Sequence, residues 1–441
     1  MAVDTPASIA IIGAGPIGLE TALYARFLGY DVTLFEQGEI CSGVRSWGHV
    51  KMFTPLGMNS SPLGLAAIEA HDENIVFPAA DAILTGQEWY EKYLLPLSQT
   101  DLLVDNIRIG TKVVAITKEN LLKGDLVGDE ERGDWSFEVT YLDPQNELRL
   151  RTEQFDVVID ASGVLAQPRE CGLGGMRPPQ PLAEEKFLRT EIPVFSDNHV
   201  SGERASSLEF YGGKTTLLVG GGYSAATAAV MWKELADQFP GTKLIWSTRR
   251  ARQTSADGIS GPIKRIENDA LPTRDALARE ANSLTMPGNG FRIEHLSETM
   301  VERIESTADG RLEVTLRGEK PSKITVDRIL SLCGYRPDLD LFRELQVHLC
   351  YATEGPMRLA ASLMKSDKSQ GSSADCLKTS SGGPEDLLTT EPNFYILGAK
   401  SYGRRSDFLF QSGLMQIRDL FRIIGDRDSL DLYQSARPLP K

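Results

Sequence analysis

Two glycine patterns, about half the chain apart, hold the residues best suited to chemistry. The first runs Ile9-Ala-Ile-Ile-Gly13-Ala-Gly15-Pro16-Ile-Gly18-Leu-Glu20; the second runs Leu217-Leu-Val-Gly220-Gly-Gly222-Tyr-Ser224-Ala225. Each follows an apolar, strand-like run and opens a helix-like stretch, the context in which this pattern holds a dinucleotide. Gly13 allows the tight strand-to-helix turn, and Gly15 lets the backbone come close to a pyrophosphate. Gly18, or Ala225 in the second copy, lets the helix pack against the sheet. The pyrophosphate is then received by free N–H groups at the helix N-terminus. Pro16 fits the first helical turn, where no donor is needed. A glycine-rich turn of an ordinary α/β domain is the competing reading for either copy alone. Two copies in one chain point to two dinucleotides and to electron transfer between a nicotinamide and a flavin.

The residues after each pattern distinguish the two sites. After the first, Asp31-Val-Thr-Leu-Phe-Glu36 reads as the second strand, ending in an acid. A carboxylate there accepts both ribose hydroxyls, as for the adenosine of FAD or NAD. After the second, Lys243-Leu-Ile-Trp-Ser-Thr-Arg249-Arg250 ends in two guanidinium groups and no acid. A guanidinium fork suits a 2′-phosphate that a carboxylate would repel. The first site reads as FAD (Gly13, Gly15, Pro16, Gly18, Glu36) and the second as NADPH (Gly220, Gly222, Ser224, Ala225, Arg249, Arg250).

The elements that must position these residues repeat one plan. Trp135–Tyr141 and Glu147–Arg151 read as a hairpin feeding the buried strand Phe155–Gly163. Arg311–Arg317 and Lys323–Val326 read as a second hairpin feeding Arg328–Asp338. Polar alternation in the hairpins and apolar runs after them carry these assignments. Ala161, Ser162 and Gly163 are small enough for the backbone to pass close to a flat cofactor. Tyr223–Phe239 reads as the helix of the second pattern, and apolar spacing over 405–424 predicts a closing helix. The implied fold is α/β: two Rossmann-like dinucleotide-binding domains of the three-layer ββα type, the NADPH domain inserted into the FAD domain. The expected boundaries are 1–165 for the first part of the FAD domain, 166–211 for a connector, 212–325 for the NADPH domain and 326–441 for the return. Within the return, polar residues 366–390, including Cys376, read as a long surface loop.

This order of FAD pattern, hairpin, Asp160-Ala-Ser-Gly163, NADPH pattern, hairpin, Cys333-Gly-Tyr-Arg-Pro-Asp338 and late strand Asn393–Gly398 resembles the two-dinucleotide-binding-domain flavoproteins. That superfamily includes thioredoxin reductases, flavin-containing monooxygenases and amine N-hydroxylases. Ser46–Pro55 and Gly398–Arg404 resemble a bacterial subgroup of flavin-binding monooxygenase-like oxidoreductases. The resemblance implies that the flavin edge is approached by the segment 45–59. Arg45, Trp47 and His49 are then candidate FAD contacts, Gly398 lies at the flavin, and Asn59 is the candidate catalytic residue. It further implies hydride transfer from NADPH, a C4a-peroxyflavin, and oxygenation of an amine, sulfide or arsenical. The stretch Phe195-Ser-Asp-Asn-His199 departs from the monooxygenase pattern. Gly398-Ala-Lys400 replaces the Gly-Asp of the reductases, leaving Lys400 and Arg404 to meet a phosphate or anionic substrate, or to form a solvated basic turn.

Cysteine separates the branches. A disulfide reductase needs two thiols by the flavin, and the chain's five cysteines form no Cys-x-x-Cys. Cys41 follows Glu36, but the position five residues on is Ser46. Cys41 therefore reads as a packed thiol, and the dithiol branch is disfavoured. A reductase passing electrons to a quinone, disulfide or protein remains the alternative function, and a non-catalytic flavin-binding protein a further one. A net charge of −14 argues against general binding to nucleic acid or anionic membranes. Met1-Ala-Val-Asp-Thr has no basic n-region, so no signal peptide is expected, and no apolar run is long enough to span a bilayer, so no transmembrane helix is expected. NADPH use and an odd cysteine count fit the cytoplasm. The five histidines show no metal-ligand spacing. Expected partners are a small-molecule substrate and molecular oxygen, with a homodimer as a candidate assembly.

Overall fold

The computed structural model describes residues 3–180, 186–195, 201–255, 257–287, 291, 293–319, 321–370 and 383–436. The chain divides into two compact units. One comprises Met1–Gly48, Thr54–Gln167 and Arg336–Lys441; the other His49–Phe53 and Pro168–Tyr335.

In the first unit a five-stranded parallel sheet has the order Phe394–Ile396, Val157–Asp160, Ser8–Ile12, Asp31–Phe35, Ile107–Arg108. Its central strands are apolar on both faces, as a sheet covered on both sides requires. Three antiparallel strands, Val113–Lys118, Phe137–Asp143 and Asn146–Phe155, form a second sheet. Its inward residues Val139, Tyr141 and Phe155 share one core with Ala10, Ile12, Phe35 and Phe394 of the parallel sheet. The helix Pro16–Phe27 carries Pro16 at its start and is buried along most of its length. Helix Phe410–Ile424 begins later than the sequence predicts and buries Ile417, Leu420, Phe421 and Ile424.

The second unit repeats the plan. Its parallel sheet has the order Glu294–Ser297, Lys243–Thr248, Thr215–Val219, Arg328–Ser331, Leu188–Arg189. Successive residues of one strand face opposite ways. Leu218 packs with Ala225, Ala229 and Trp232 on the helix side. Leu217 packs with Val301 and Val314 on the side of the antiparallel sheet Met300–Ser306, Leu312–Arg317, Ser322–Val326. Helix, parallel sheet and antiparallel sheet are thus stacked in each unit, which is the three-layer ββα arrangement.

Some boundaries differ from the sequence reading. Each hairpin gains a third strand: Val113–Lys118 pairs with Phe137–Asp143 across the long segment 119–136, and Met300–Ser306 pairs with Leu312–Arg317 across the short turn 307–311. The stretch expected as a connector from 166 to 211 clusters largely with the second unit and contributes the edge strand Leu188–Arg189 to its sheet. Residues 366–370, expected in a polar loop, instead end the helix Met357–Gln370, and Pro384–Leu387 form a 3₁₀ turn. Residues 371–382, with Cys376, and 196–200, with His199, lie outside the described residues.

Candidate functional site

The first glycine turn is built by close backbone contact. Gly13 has φ +99°, and a Cβ on it would lie 2.7 Å from Ser162 Cα. A Cβ on Gly18 would lie 1.9 Å from the Gly13 carbonyl oxygen, so the helix sits directly on the turn. Gly15 differs: nothing stands within 4 Å of where its Cβ would be. Gly163, with φ +73°, has the same open space beside it. These openings flank the N-terminus of the helix that starts at Pro16, a concavity suited to an anion. Glu36 is buried, its Oε2 accepting from Ala14 N at 2.9 Å and its Oε1 from Gly38 N at 2.9 Å. Each carboxylate oxygen can accept more than one hydrogen bond, which leaves capacity for ribose hydroxyls. The cradle, the free helix end and the oriented carboxylate fit an adenine dinucleotide.

Ala161 is tied to the first strand by its N–H to Ile12 O at 2.9 Å. Gly398, with φ +72°, donates its N–H to Gln416 Oε1 at 2.9 Å, and Gln416 bonds Ser401 in turn. Arg45 pairs with Glu39 and lies 5.3 Å from the Tyr90 ring centre. The Trp47 ring lies against Gly86, where a Cβ would approach it to 2.6 Å. His49 falls in the His49–Phe53 segment that clusters with the second unit. Asn59 is buried, and its amide is spent on its own loop: Nδ2 donates to Thr54 O, Thr54 Oγ1 and Pro55 O at 2.8–2.9 Å. Its backbone carbonyl accepts from Trp89 Nε1 at 2.7 Å.

Lys400 corrects the sequence reading. It neither faces solvent nor stands open to a phosphate: its side chain is wholly buried, 2.6 Å from Asp160 Oδ2, whose carboxylate is wholly buried too. Arg404 is paired with Glu354 at 2.6 Å.

In the second unit Gly220 has φ +146°, and a Cβ there would meet Leu332 O at 2.2 Å. Trp246 Nε1 donates to Gly220 O at 2.7 Å, locking the turn. Gly222 has open space beside it and caps helix Tyr223–Gln238, with Ser224 exposed and Ala225 buried on the sheet. Arg249 and Arg250 leave the end of strand Lys243–Thr248 exposed. Behind them Arg252 is held by Ser260 O at 2.6 Å and Thr285 Oγ1 at 3.0 Å, and lies 3.0 Å from His295 Nδ1. Burial, then the Arg252 charge, pushes the His295 imidazole down to about 4, so it is neutral at pH 7.

Cys41 is a buried thiol whose sulfur donates to Ala14 O at 3.4 Å; burial, then Glu36, raises it far above an ordinary thiol. Ser46 donates its hydroxyl to Gly43 O. Three further polar arrangements escaped the sequence reading. Glu20, on the first helix, accepts from the Tyr93 hydroxyl, and burial raises its carboxyl to about 7. Arg132 and Glu391 form a buried pair at 2.8 Å. Cys171 and Cys333 share one apolar cluster and the Ser331 hydroxyl, which lies 3.6 Å from Cys333 Sγ. Among the described residues no cluster of His, Cys, Asp or Glu could hold a metal ion, and no helix is long and apolar enough to cross a membrane.

Residues 2–48 match the family model described as pyridine nucleotide-disulphide oxidoreductase. No curated protein matches the chain in sequence. Among solved structures, the bacillithiol disulfide reductase of Bacillus cereus is similar at TM-score 0.60 and 15% identity, covering 96% of this chain and 99% of that one. The thioredoxin reductase of Lactococcus lactis gives 0.55 and 13%, over 95% and 98%. DfoA, the FAD-bound cadaverine monooxygenase of desferrioxamine biosynthesis in Erwinia amylovora, gives 0.59 and 13%, over 96% of each. The chain has the fold of the two-dinucleotide-binding-domain flavoproteins, a fold that reductases and monooxygenases share.

Proposed function

We propose that this protein is an FAD-dependent, NADPH-using oxidoreductase that transfers an oxygen atom to a small soft nucleophile: an amine, a sulfide or an arsenical. FAD is assigned to the first unit and NADPH to the second. A bound flavin supplies the hydride acceptor and the oxygen chemistry. The chain's own residues bind and orient. The Gly13–Gly18 turn and its helix end receive the FAD pyrophosphate, Glu36 the ribose, and the Ala161–Gly163 backbone the close approach. Gly220–Gly222 receive the second pyrophosphate, and Arg249 and Arg250 the 2′-phosphate.

The observation that carries oxygen transfer over dithiol exchange is the state of Cys41. Its thiol is buried, strongly disfavoured as a thiolate and committed to Ala14 O, with Ser46 where a partner thiol would stand. A reductase reading has one observation in its favour, the Cys171–Ser331–Cys333 grouping in the second unit. The test is NADPH oxidation by FAD-loaded protein in air and under anaerobic conditions, with isotopically labelled oxygen and amine or sulfide substrates. Oxygen-dependent NADPH consumption with label in the product is expected. Equal NADPH oxidation without oxygen, given a quinone or disulfide acceptor, would replace this reading with the reductase.

A further inference from the structure

Lys400 is the least expected charge in the first unit. It lies two residues beyond Gly398, past the end of the edge strand Phe394–Ile396, which pairs in parallel with Val157–Asp160. Its ammonium donates to Asp160 Oδ2 at 2.6 Å and to Ser162 Oγ at 3.0 Å, and lies 5.4 Å from the Phe342 ring centre. Ser162 in turn donates Oγ–H to Asp160 Oδ1 at 2.7 Å and its N–H to the same oxygen at 3.1 Å. Lys400, Asp160 and Ser162 therefore close a ring of hydrogen bonds in which both carboxylate oxygens are used.

Joining two neighbouring strand ends does not need charge. Apolar residues of similar size do so without the several kcal/mol lost when each ion leaves water, so a buried ion pair is a poor device for stability alone. What it can do is fix one geometry. Of the three residues, Lys400 and Asp160 are shut away and only Ser162 is exposed. Ser162 is also the residue whose Cα closes against Gly13, and it precedes Gly163, beside which there is open space. The buried charge pair thus acts on the surface of the cradle at one point, between the first fingerprint glycine and the open passage next to Gly163.

We propose that Lys400 is a positioning residue for FAD: through Asp160 and Ser162 it sets the height and direction of the 161–163 backbone against the Gly13 turn. This rests on the assignment of FAD to the first unit. It also explains how Gly398-Ala-Lys400 can stand where the reductases carry Gly-Asp. The strand end is organised from behind by a cation rather than from the front by an acid.

The test separates positioning from stability. Lys400→Met alone leaves Asp160 charged without its counter-ion, so the informative variant is Asp160→Asn with Lys400→Met, which removes both charges and keeps the volumes. Its apoprotein is expected to melt close to wild type yet bind FAD about tenfold more weakly or worse, with an altered visible flavin band. Wild-type FAD affinity and spectrum in that variant would overturn the proposal. Should it not fold, Ser162→Ala, at an exposed position, carries the test. It is expected to weaken FAD several-fold, and an unchanged affinity overturns the proposal. Combined with the double variant it should cost nothing further, because both act through one link. Full additivity would show that Lys400 does not work through Ser162. Wild-type protein that takes up no FAD would remove the underlying assignment and this proposal together, whereas FAD uptake equal in wild type and variant removes this proposal alone.

Discussion

Replacing Glu20 with Gln should abolish a large part of the pH dependence of stability. Glu20 sits wholly inside the first unit, with the Tyr93 hydroxyl on Oε1 and no hydrogen-bond partner for Oε2 among the described residues. Tyr433, whose buried hydroxyl has no hydrogen-bond partner among the described residues, and Ser61, bonded to Tyr93, complete its surroundings. Burial raises the carboxyl from 4.5 to about 7, the Tyr93 and Ser61 hydrogen bonds offsetting only part of that. Such a displacement corresponds to on the order of 3 kcal/mol. The folded state holds a proton that the unfolded chain has already released above about pH 4.5. Stability from this group is therefore full below that pH, falls as pH rises, and is gone above about 7. Gln keeps an acceptor for Tyr93, has no proton to lose, and offers N–H donors to the unpartnered side. Urea unfolding of wild type and Glu20→Gln from pH 4.5 to 8 should show the variant gaining about 3 kcal/mol relative to wild type across the window. A difference that stays flat with pH would refute the argument, since the other titrating groups are common to both proteins.

Four further outcomes follow from the structure. Gly18→Ala drives a Cβ to 1.9 Å from Gly13 O and should destabilise the apoprotein by about 2 kcal/mol or more. Gly15→Ala, facing open space, should leave the apoprotein's melting unchanged and weaken FAD instead; the reverse ranking in calorimetry would show the turn to be misread. Arg249→Ala with Arg250→Ala should raise the KM for NADPH about tenfold or more and leave that for NADH nearly unchanged; equal effects on both would mean these exposed arginines do not read a 2′-phosphate. The His295 imidazole, pushed down to about 4, contributes stability that is present above about 6.5 and lost as pH falls toward 4. Its ring resonances should stay constant from pH 8 to 5, and a titration centred near 6.5 would place it outside its pocket.

The glycine turns were legible because their requirement is local. A positive φ at Gly13, and a Cβ that would strike Gly13 O at Gly18, are consequences of one strand-turn-helix segment, and the segment carries its own signature. The central parallel strands were legible for a similar reason, since an apolar run buried on both faces leaves a mark in any window that contains it, whereas the edge strands Ile107–Arg108, Leu188–Arg189 and Glu294–Ser297 were not. The strands Val113–Lys118 and Met300–Ser306 were missed; the first pairs only after the long segment 119–136, which separates it from Phe137–Asp143 along the chain. Cys41 was legible as a packed thiol, since the absence of a nearby second cysteine is itself a sequence fact.

By itself the sequence determined the two glycine turns, the acid after one and the arginines after the other, and the repeated helix-and-sheet plan. Tertiary structure alone decided where the buried charges went. Lys400 and Asp160 are 240 positions apart, Arg132 and Glu391 259, and Glu20 and Tyr93 73. A lysine after a strand end has the same local pattern whether it meets solvent, a phosphate or a buried carboxylate. The outcome depends on which strand lies beside it, and strand order is fixed by the packing of the whole unit. The same holds for Asn59, whose amide the fold turns inward onto Thr54 and Pro55. Local backbone demands can be read along the chain, whereas burial and charge pairing are properties of the packed unit.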